Sequence, residues 1–337
     1  MRFLTLFFVS LLVLACDSDE TRRDRFFLQG NQALENNEYK NAIEYYNKAL
    51  AIDPEHAFSY NNRGVARYED GHPYEALQDY NQAILRKPNY YESIQNRANV
   101  YQEIGKYDKA IEDLEYLIQA YPDSTIFYFQ KGLVQTYKAD YESARSSFLI
   151  AKEQDSTDPE IEINLATLDY YEGDYSGSKD KLQRVLQEFF GLAMAWNTLN
   201  QVYIAQEKYD SALYAINKAL EIEQNEGIFL NNRGFTYLML DSLETGLEDI
   251  NKSILQDPQN QWAYRNKAIY YIKSDEPDLA IPYLEDLQDK NELIDDKYYY
   301  LGIAYQMKGQ TKKACEVWAQ GSPAEIRSKE AFEESCR

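Results

Sequence analysis

Few side chains in this sequence are of the types that carry out catalysis or hold a metal ion. The only two histidines, His56 and His72, stand beside proline-containing turns and are expected on the surface. The sequence contains no glycine-rich phosphate loop, no Gly-x-Ser-x-Gly turn and no His-Glu-x-x-His helix. Without one of these motifs, a pair of carboxylates among 56 acidic residues does not indicate a catalytic site. We therefore expect no enzyme, no cofactor and no metal site.

The first cysteine points to covalent attachment instead. Arg2 precedes an almost wholly apolar stretch over residues 3–15, too short to span a bilayer core of roughly 30 Å and typical of a signal peptide. The stretch ends Val13-Leu14-Ala15-Cys16, which resembles a bacterial lipobox. The resemblance implies a signal peptide over 1–15, a lipid on Cys16, and an acidic tether over 16–22. The alternative is an ordinary signal peptide with an incidental cysteine.

This resemblance implies an exported protein, anchored by lipid in the cell envelope of a bacterium. Aspartate directly after the lipidated cysteine resembles a signal for retention in the inner membrane, whereas acidic residues after it also resemble a signal for export to the cell surface. The outer membrane, its periplasmic face, the cell surface and the inner membrane all stay open.

A period of 34 residues organises the chain from residue 23 to 328 without an insertion. Small residues recur at the eighth and twentieth positions, and a large apolar residue recurs at the twenty-fourth. The pattern resembles the tetratricopeptide repeat (TPR), a helix-turn-helix unit of this length. The resemblance implies an all-α, right-handed superhelical solenoid of nine repeats. These are 23–56, 57–90, 91–124, 125–158, 159–192, 193–226, 227–260, 261–294 and 295–328.

Two antiparallel helices approach closely only where side chains are small, so the eighth and twentieth positions mark the crossing inside each repeat. Asn200 is the one clear departure at the eighth position and puts the packing of the sixth repeat in question. Pro282 lies inside the expected second helix of the eighth repeat and predicts a kink or a late helix start there.

Comparison of the repeats with one another predicts three ion pairs. Arginine stands at the seventh position of three repeats, and the same three carry aspartate at the twenty-third, whereas the other six have neither. Since the two positions lie on facing helices, we expect structural arginine–carboxylate pairs inside these repeats. The pairs are Arg63 with Asp79, Arg97 with Asp113, and Arg233 with Asp249.

The segment 324–337 predicts a capping helix that overlaps the end of the last repeat and covers its apolar face. Ile326 and Phe332 are expected to face inward. If Cys16 carries lipid, Cys315 and Cys336 remain as an even pair in an exported protein. A disulfide between them would tie the cap to the array and contribute about 3 kcal/mol in the chain-entropy model. The alternative is two unpaired thiols.

The TPR resemblance also implies a concave groove lined by the first helices, where a peptide or protein partner binds. Asparagines are frequent at the groove positions, and an amide can both donate to and accept from a peptide backbone. The alternative is that these amides bond to water in an empty groove. The residues expected to contact the partner are Asn61, Asn62, Tyr68, Gln95, Asn96, Asn99, Asn197, Asn231, Asn232, Arg265 and Asn266.

The formal net charge of −21 argues against nucleic acid as a partner, because phosphates would be repelled. One TPR subtype grips C-terminal carboxylates through lysines, but the corresponding positions here are Phe27, Glu92 and Asn96, so that clamp is absent. The sequence predicts a non-enzymatic, membrane-anchored scaffold or adaptor that binds a peptide or protein partner during cell-envelope assembly. The alternative is a cell-surface lipoprotein that captures a glycan or nutrient, or belongs to an uptake complex.

Overall fold

The computed structural model of the protein describes residues 18–290, 294–321 and 325–336, with the side chains of 288–290 left aside. These residues form α-helices and no strand. The nineteen helices are α1 (Asp19–Glu35), α2 (Tyr39–Ile52), α3 (Ala57–Glu69), α4 (Pro73–Arg86), α5 (Tyr91–Glu103), α6 (Tyr107–Ala120), α7 (Thr125–Tyr137), α8 (Tyr141–Gln154), α9 (Pro159–Tyr171), α10 (Tyr175–Glu188), α11 (Ala193–Ala205), α12 (Tyr209–Ile222), α13 (Gly227–Met239), α14 (Leu243–Gln256), α15 (Gln261–Lys273), α16 (Pro277–Lys290), α17 (Lys297–Met307), α18 (Thr311–Gln320) and α19 (Ile326–Ser335).

The helices divide between two compact units. The first ends at Ser156 and contains α1–α8, and the second begins at Thr157 and contains α9–α19. Within each unit every helix packs against the next one along the chain. In addition, the first helices of neighbouring repeats contact one another: α1, α3 and α5 in the first unit, and α9, α11, α13, α15 and α17 in the second. We call the surface that they form in each unit the first-helix face.

The turn between the two helices has the same conformation in every repeat. The fifteenth position has a positive φ, between 56° and 83°, in all nine repeats. Around Gly71, the amide of residue 71 donates to Tyr68 O at 2.9 Å and that of His72 to Arg67 O at 2.8 Å, the pair of bonds that closes a helix in the Schellman motif. Four repeats have glycine at this position, and the others hold asparagine, aspartate, glutamate or alanine in the left-handed region.

Residue size is matched across each helix crossing. Where the eighth position is glycine, an aromatic ring from the twenty-fourth position lies directly on it in four repeats. A Cβ on Gly132, for example, would stand 2.6 Å from the Phe148 ring. Three repeats have alanine at the eighth position, and those three have leucine at the twenty-fourth. The glycine pairs are Gly30–Tyr46, Gly64–Tyr80, Gly132–Phe148 and Gly302–Trp318, and the alanine pairs are Ala98–Leu114, Ala166–Leu182 and Ala268–Leu284.

Asn200 packs at its small position with its amide nitrogen bonded, while its amide oxygen is buried without a hydrogen-bond partner among the described residues. The side chain is fully buried, and Nδ2 donates to Ala212 O at 3.0 Å and to Thr236 Oγ1 at 3.1 Å. The sixth repeat therefore replaces a close apolar crossing with two hydrogen bonds, one of them to the next repeat.

Pro282 does not delay the second helix of the eighth repeat. Helix α16 begins at Pro277, the position at which the second helix begins in every other repeat, and Pro282 lies inside it. Proline is favourable in the first turn, so Pro277 supplies the start.

Helix α19 packs against α17 and α18, and a disulfide joins Cys315 to Cys336. The prediction that Ile326 faces inward is wrong, because its side chain is 64% exposed. The inward face instead carries Ser328, which is fully buried, and Phe332, which packs on the core. A Cβ on Gly321 would stand 2.5 Å from Ser328 Cβ, so a close contact with the end of α18 sets the rotation of the cap.

The predicted signal peptide, the lipobox and Cys16 lie outside the described residues. Among the residues that are described, no helix has both the length and the apolar character needed to cross a bilayer.

Candidate interaction surface

Three arginines at the seventh position hold aspartates of the facing helix in two-point hydrogen bonds. Arg97 donates through Nε at 2.9 Å and Nη2 at 2.6 Å to the two oxygens of Asp113. Arg63 makes the same contact with Asp79 at 2.9 and 2.6 Å. The third pair, Arg233 with Asp249, spans 2.6 and 3.0 Å. The aspartates are buried, so these carboxylates hold the two helices of a repeat together.

The same cations also reach the preceding repeat. Arg97 Nη1 donates to Asn81 Oδ1 at 2.6 Å, and the acceptor lies at the twenty-fifth position of the repeat before. Lysine makes this contact where it replaces arginine. The links are Arg63–Asn47, Arg97–Asn81, Lys131–Glu115, Arg233–Asn217 and Lys267–Asn251. The acceptors were missed from the sequence, although asparagine recurs there in four repeats.

A further polar contact joins the eleventh and twenty-third positions, and its charges are reversed in one repeat. In the second repeat Arg67 Nη1 donates to Asp79 Oδ2 at 2.7 Å. In the fifth repeat Asp169 stands at the eleventh position and accepts from Lys181 at the twenty-third. Sequence comparison that searched for arginine before aspartate could not detect this inverted pair.

Asparagine side chains form ladders between neighbouring first helices. The amide at the sixth position of one repeat donates to the amide oxygen at the fifth position of the repeat before it. The three such bonds are Asn96–Asn61 at 3.2 Å, Asn232–Asn197 at 2.8 Å and Asn266–Asn231 at 2.8 Å. Asn62 adds a bond to Asn31 at 2.9 Å, and Gln95 donates to Gln130 at 3.3 Å. The amides therefore bond to one another before any partner arrives.

Burial divides the predicted partner-contacting residues into two groups. Four of the asparagines, Asn61, Asn197, Asn231 and Asn266, are between 0 and 4% exposed. Such side chains position the first helices and do not present an amide to a bound peptide. Asn62, Tyr68, Gln95, Asn96 and Asn232 are half-buried, and Asn99 is exposed.

Arg265 is built into the first-helix face of the second unit. Its Nε and Nη2 donate to Asn266 Oδ1 at 3.1 and 2.9 Å, and its Nη1 donates to the main-chain oxygen of Asp295 at 3.1 Å. The guanidinium also lies 4.7 Å from the Trp262 ring centre. Burial lowers the pKa of this guanidinium. Arg265 thus ends the ladder that runs through Asn266 and Asn231.

The first-helix face of the first unit contains a recess of about 560 Å³, which we call the Tyr68 pocket. Its walls come from α3, the end of α5, the start of α6 and the end of α7. The lining residues are Tyr68, Asn99, Gln102, Glu103, Tyr107 and Tyr137. Two of the eleven predicted contact residues, Tyr68 and Asn99, meet in this pocket.

His56 packs in the turn before α3. His56 Nδ1 lies 2.7 Å from Ser59 Oγ, and its ring meets Phe27 edge-on at a centroid distance of 5.1 Å. Burial lowers the pKa of His56 below its usual value. Within the described ranges, no cluster of three histidine, cysteine or carboxylate side chains is arranged to hold a metal ion.

Comparison with known families and structures identifies the repeats. Sequence profiles described as TPR repeat or tetratricopeptide repeat match residues 30–71, 79–112 and 96–159. The presence of TPR units, which the sequence pattern predicted, is thereby confirmed.

Solved structures share the fold at low sequence identity. A tetratricopeptide repeat protein from Parabacteroides merdae is 18% identical, with a TM-score of 0.69 over 74% of this chain and 98% of its own. Yeast Tom70 is 18% identical, with a TM-score of 0.59 over 90% of this chain and 68% of its own. The APC/C hetero-tetramer Cut9–Hcn1 gives 12% identity and a TM-score of 0.63 over 96% of this chain and 78% of its own. The all-α repeat fold is therefore shared by these proteins and this one.

Proposed function

We propose, since this chain carries tetratricopeptide repeats, that it is a non-enzymatic scaffold or adaptor which binds a peptide or protein partner on its first-helix faces. A lipid on Cys16 would hold it in the bacterial cell envelope, in an outer or inner membrane. Cut9–Hcn1 is a hetero-tetramer, which supports the view that this fold serves in protein complexes.

The observation that carries the proposal is the asparagine ladder. Each amide of the ladder has its partner in a neighbouring repeat, so the first helices are already held in place in the free protein. A surface that is organised beforehand loses less conformational entropy when a partner binds. The buried asparagines are thus positioning residues, and the exposed side chains around them would make the contacts.

Site-specific crosslinking tests where the partner lies. A photoreactive phenylalanine analogue replaces Asn99 on the first-helix face of the first unit, or Trp262, which is 36% exposed in the second unit. The controls place it on second helices, at Tyr116, which is 42% exposed, and at Leu255, which is 81% exposed. The proposal expects one protein to be crosslinked in living cells from Asn99 or Trp262 and not from the controls. Crosslinks only from Tyr116 or Leu255 would move the interface to the second helices and overturn it.

The lipid anchor has a separate test. Cys16→Ala should abolish incorporation of labelled fatty acid and move the protein from the membrane fraction to the soluble fraction. The matched control Cys336→Ala removes a cysteine that is placed far along the chain and should leave the protein in the membrane fraction. Membrane attachment of the Cys16→Ala protein would contradict the lipoprotein assignment.

A further inference from the structure

The Tyr68 pocket lies where three helices end. Tyr68 is the next-to-last residue of α3, Glu103 is the last of α5, and Tyr137 is the last of α7. The last turn of a helix carries a partial negative charge, which favours a cation nearby. The ends of α3, α5 and α7 therefore favour positive charge at this recess, whereas the start of α6 at Tyr107 contributes a partial positive charge of its own.

Aromatic faces add to that preference. The rings of Tyr107 and Tyr137 lie parallel within 13°, with centroids 6.4 Å apart, and Tyr137 is 56% exposed. Together with Tyr68 they place three tyrosine rings around one recess. A cation is attracted to the negative face of an aromatic ring, and the attraction grows as water is excluded.

One carboxylate completes the pocket. The Tyr68 hydroxyl donates to Glu103 Oε2, which turns this acidic side chain along the pocket wall. That hydrogen bond, with help from burial, raises the pKa of Tyr68 to about 12, so the phenol remains a donor at neutral pH. The remaining wall is made of the amides of Asn99 and Gln102.

No lysine or arginine is among the lining residues. The nearest cation along α7 is Lys138, and its Nζ is bonded to Asp108 Oδ1 at 2.6 Å. Lys106, in the turn after α5, places its Nζ 5.5 Å from the ring of Tyr74, which is not a lining residue. The chain also carries a net charge of −21, which attracts a basic partner over longer distances.

We infer that the Tyr68 pocket receives a basic side chain, lysine or arginine, from the protein partner. The inference rests on the proposed function and names the chemistry of the partner at this one site. The ammonium or guanidinium lies against the tyrosine rings with its charge towards Glu103, and the neighbouring amides of Asn99 and Gln102 accept from the peptide that carries it.

The test uses small probes and so does not depend on the natural partner. The protein is labelled with 3-fluorotyrosine, and Tyr107→Phe and Tyr137→Phe assign the two pocket signals in the fluorine NMR spectrum. Acetyl-arginine amide and acetyl-lysine amide are titrated in low salt, and acetyl-citrulline amide, which is neutral and has nearly the shape of arginine, is the matched probe. We expect saturable shifts of the pocket signals with the two cations. Equal shifts with citrulline would overturn the inference.

Glu103→Gln tests the carboxylate without removing an acceptor for Tyr68. We expect it to weaken binding of the cationic probes about threefold to fivefold, in the range of an exposed ion pair. Glu92→Gln removes the same charge from the first turn of the same helix and should leave the affinity unchanged. Unchanged affinity in Glu103→Gln would contradict the inference. If crosslinking from Asn99 persists in that case, the proposed function is retained and only the inference is wrong. If no partner is crosslinked from Asn99 or Trp262, the proposed function is contradicted, even when the probes bind.

Discussion

At the residue scale, the arginine–aspartate pairs differ in how many cations serve each carboxylate. Asp79 is bonded to both Arg63 and Arg67, whereas Asp113 is bonded to Arg97 alone among the residues that the structure describes. Both aspartates are nearly inaccessible, at 2% and 5% exposure. A buried carboxylate that loses its last cation is costly, and one that keeps a second cation is less so.

We therefore expect unequal effects from the same substitution. Arg97→Met should lower the free energy of unfolding by about 3 kcal/mol, because Asp113 is left buried without a cation. Arg63→Met should cost about 1 kcal/mol, the loss of hydrogen bonds to a carboxylate that Arg67 still neutralises. Urea denaturation of the two variants measures the difference. Both substitutions also remove a hydrogen bond to an asparagine of the preceding repeat, so this loss is the same in the two variants and does not affect the difference. Equal losses of unfolding free energy would show that Arg67 does not neutralise Asp79 in the Arg63→Met variant.

His56 predicts a dependence of stability on pH. Its pKa in the folded protein lies below the usual 6.5 because burial disfavours the charged ring. As the pH falls below about 6.5, the unfolded chain takes up the proton first, so the free energy of unfolding decreases and levels off below the folded pKa. Denaturation curves from pH 7 to pH 5 should show a smaller decrease in His56→Gln than in the native protein. His72→Gln, which changes the other histidine, should retain the native dependence of stability on pH. A smaller decrease in this control would show that His56 is not the source of the dependence.

At the scale of the element, the helix crossings show why size matters in pairs. The ring of Phe148 occupies the space that a methyl group on Gly132 would need, and the three repeats that carry alanine have leucine in place of the ring. The pair of positions, and not either position alone, determines how closely the helices approach.

This pairing predicts a rescue. Gly132→Ala should destabilise the protein by about 1–3 kcal/mol through overpacking. On a Phe148→Leu background the same change should cost less by at least about 1 kcal/mol, which a double-mutant cycle in urea detects. The control is Gly64→Ala on the Phe148→Leu background, since Gly64 faces Tyr80. Strict additivity in the Gly132 cycle would contradict direct contact as the cause.

The sequence predicted the elements well because the period repeats a complete supersecondary unit. Once 34 residues are one helix pair, the starts of the helices and the arginine–aspartate pairs follow from comparing repeats. The partners of Arg97 in the preceding repeat did not follow, because their identification requires the rotation of one repeat against the next. Ile326 was placed wrongly for a similar reason. Its own hydrophobicity predicted burial, whereas the contact of Ser328 with Gly321 sets the orientation of α19.

The same limit applied to the candidate site. Asparagine at the fifth and sixth positions suggested contact with a partner, but a sequence cannot show that two amides from neighbouring repeats already satisfy each other. The Tyr68 pocket likewise depends on three helix ends that are 34 residues apart in the chain and adjacent in space. Tyr68 and Asn99 could be named in advance, whereas Glu103 and Tyr107 could not.

At the scale of the whole molecule, the dominant electrostatic feature is an excess of 21 negative charges. Like charges repel one another less in salt, since the screening length falls to about 8 Å at physiological ionic strength. We expect the melting temperature to rise between about 20 and about 200 mM NaCl, because relief of net repulsion outweighs the weakening of exposed ion pairs. Potassium chloride should act equally, which separates screening from specific ion binding. A melting temperature that falls with salt would mean that the exposed pairs dominate.

The link between the seventh position of one repeat and the twenty-fifth of the repeat before bears on how such a gene can change in length. Four of the five acceptors are the same amide, asparagine, at the same place in their repeats. Unequal recombination that deletes 34 codons between two repeats whose twenty-fifth residue is asparagine would give the next cation an asparagine acceptor at the new junction. The reversed pair of Asp169 and Lys181 lies within one repeat, so this contact would be kept when that repeat is duplicated. Loss of the third or the seventh repeat in a single genetic event would thus leave every cation of this link with an acceptor.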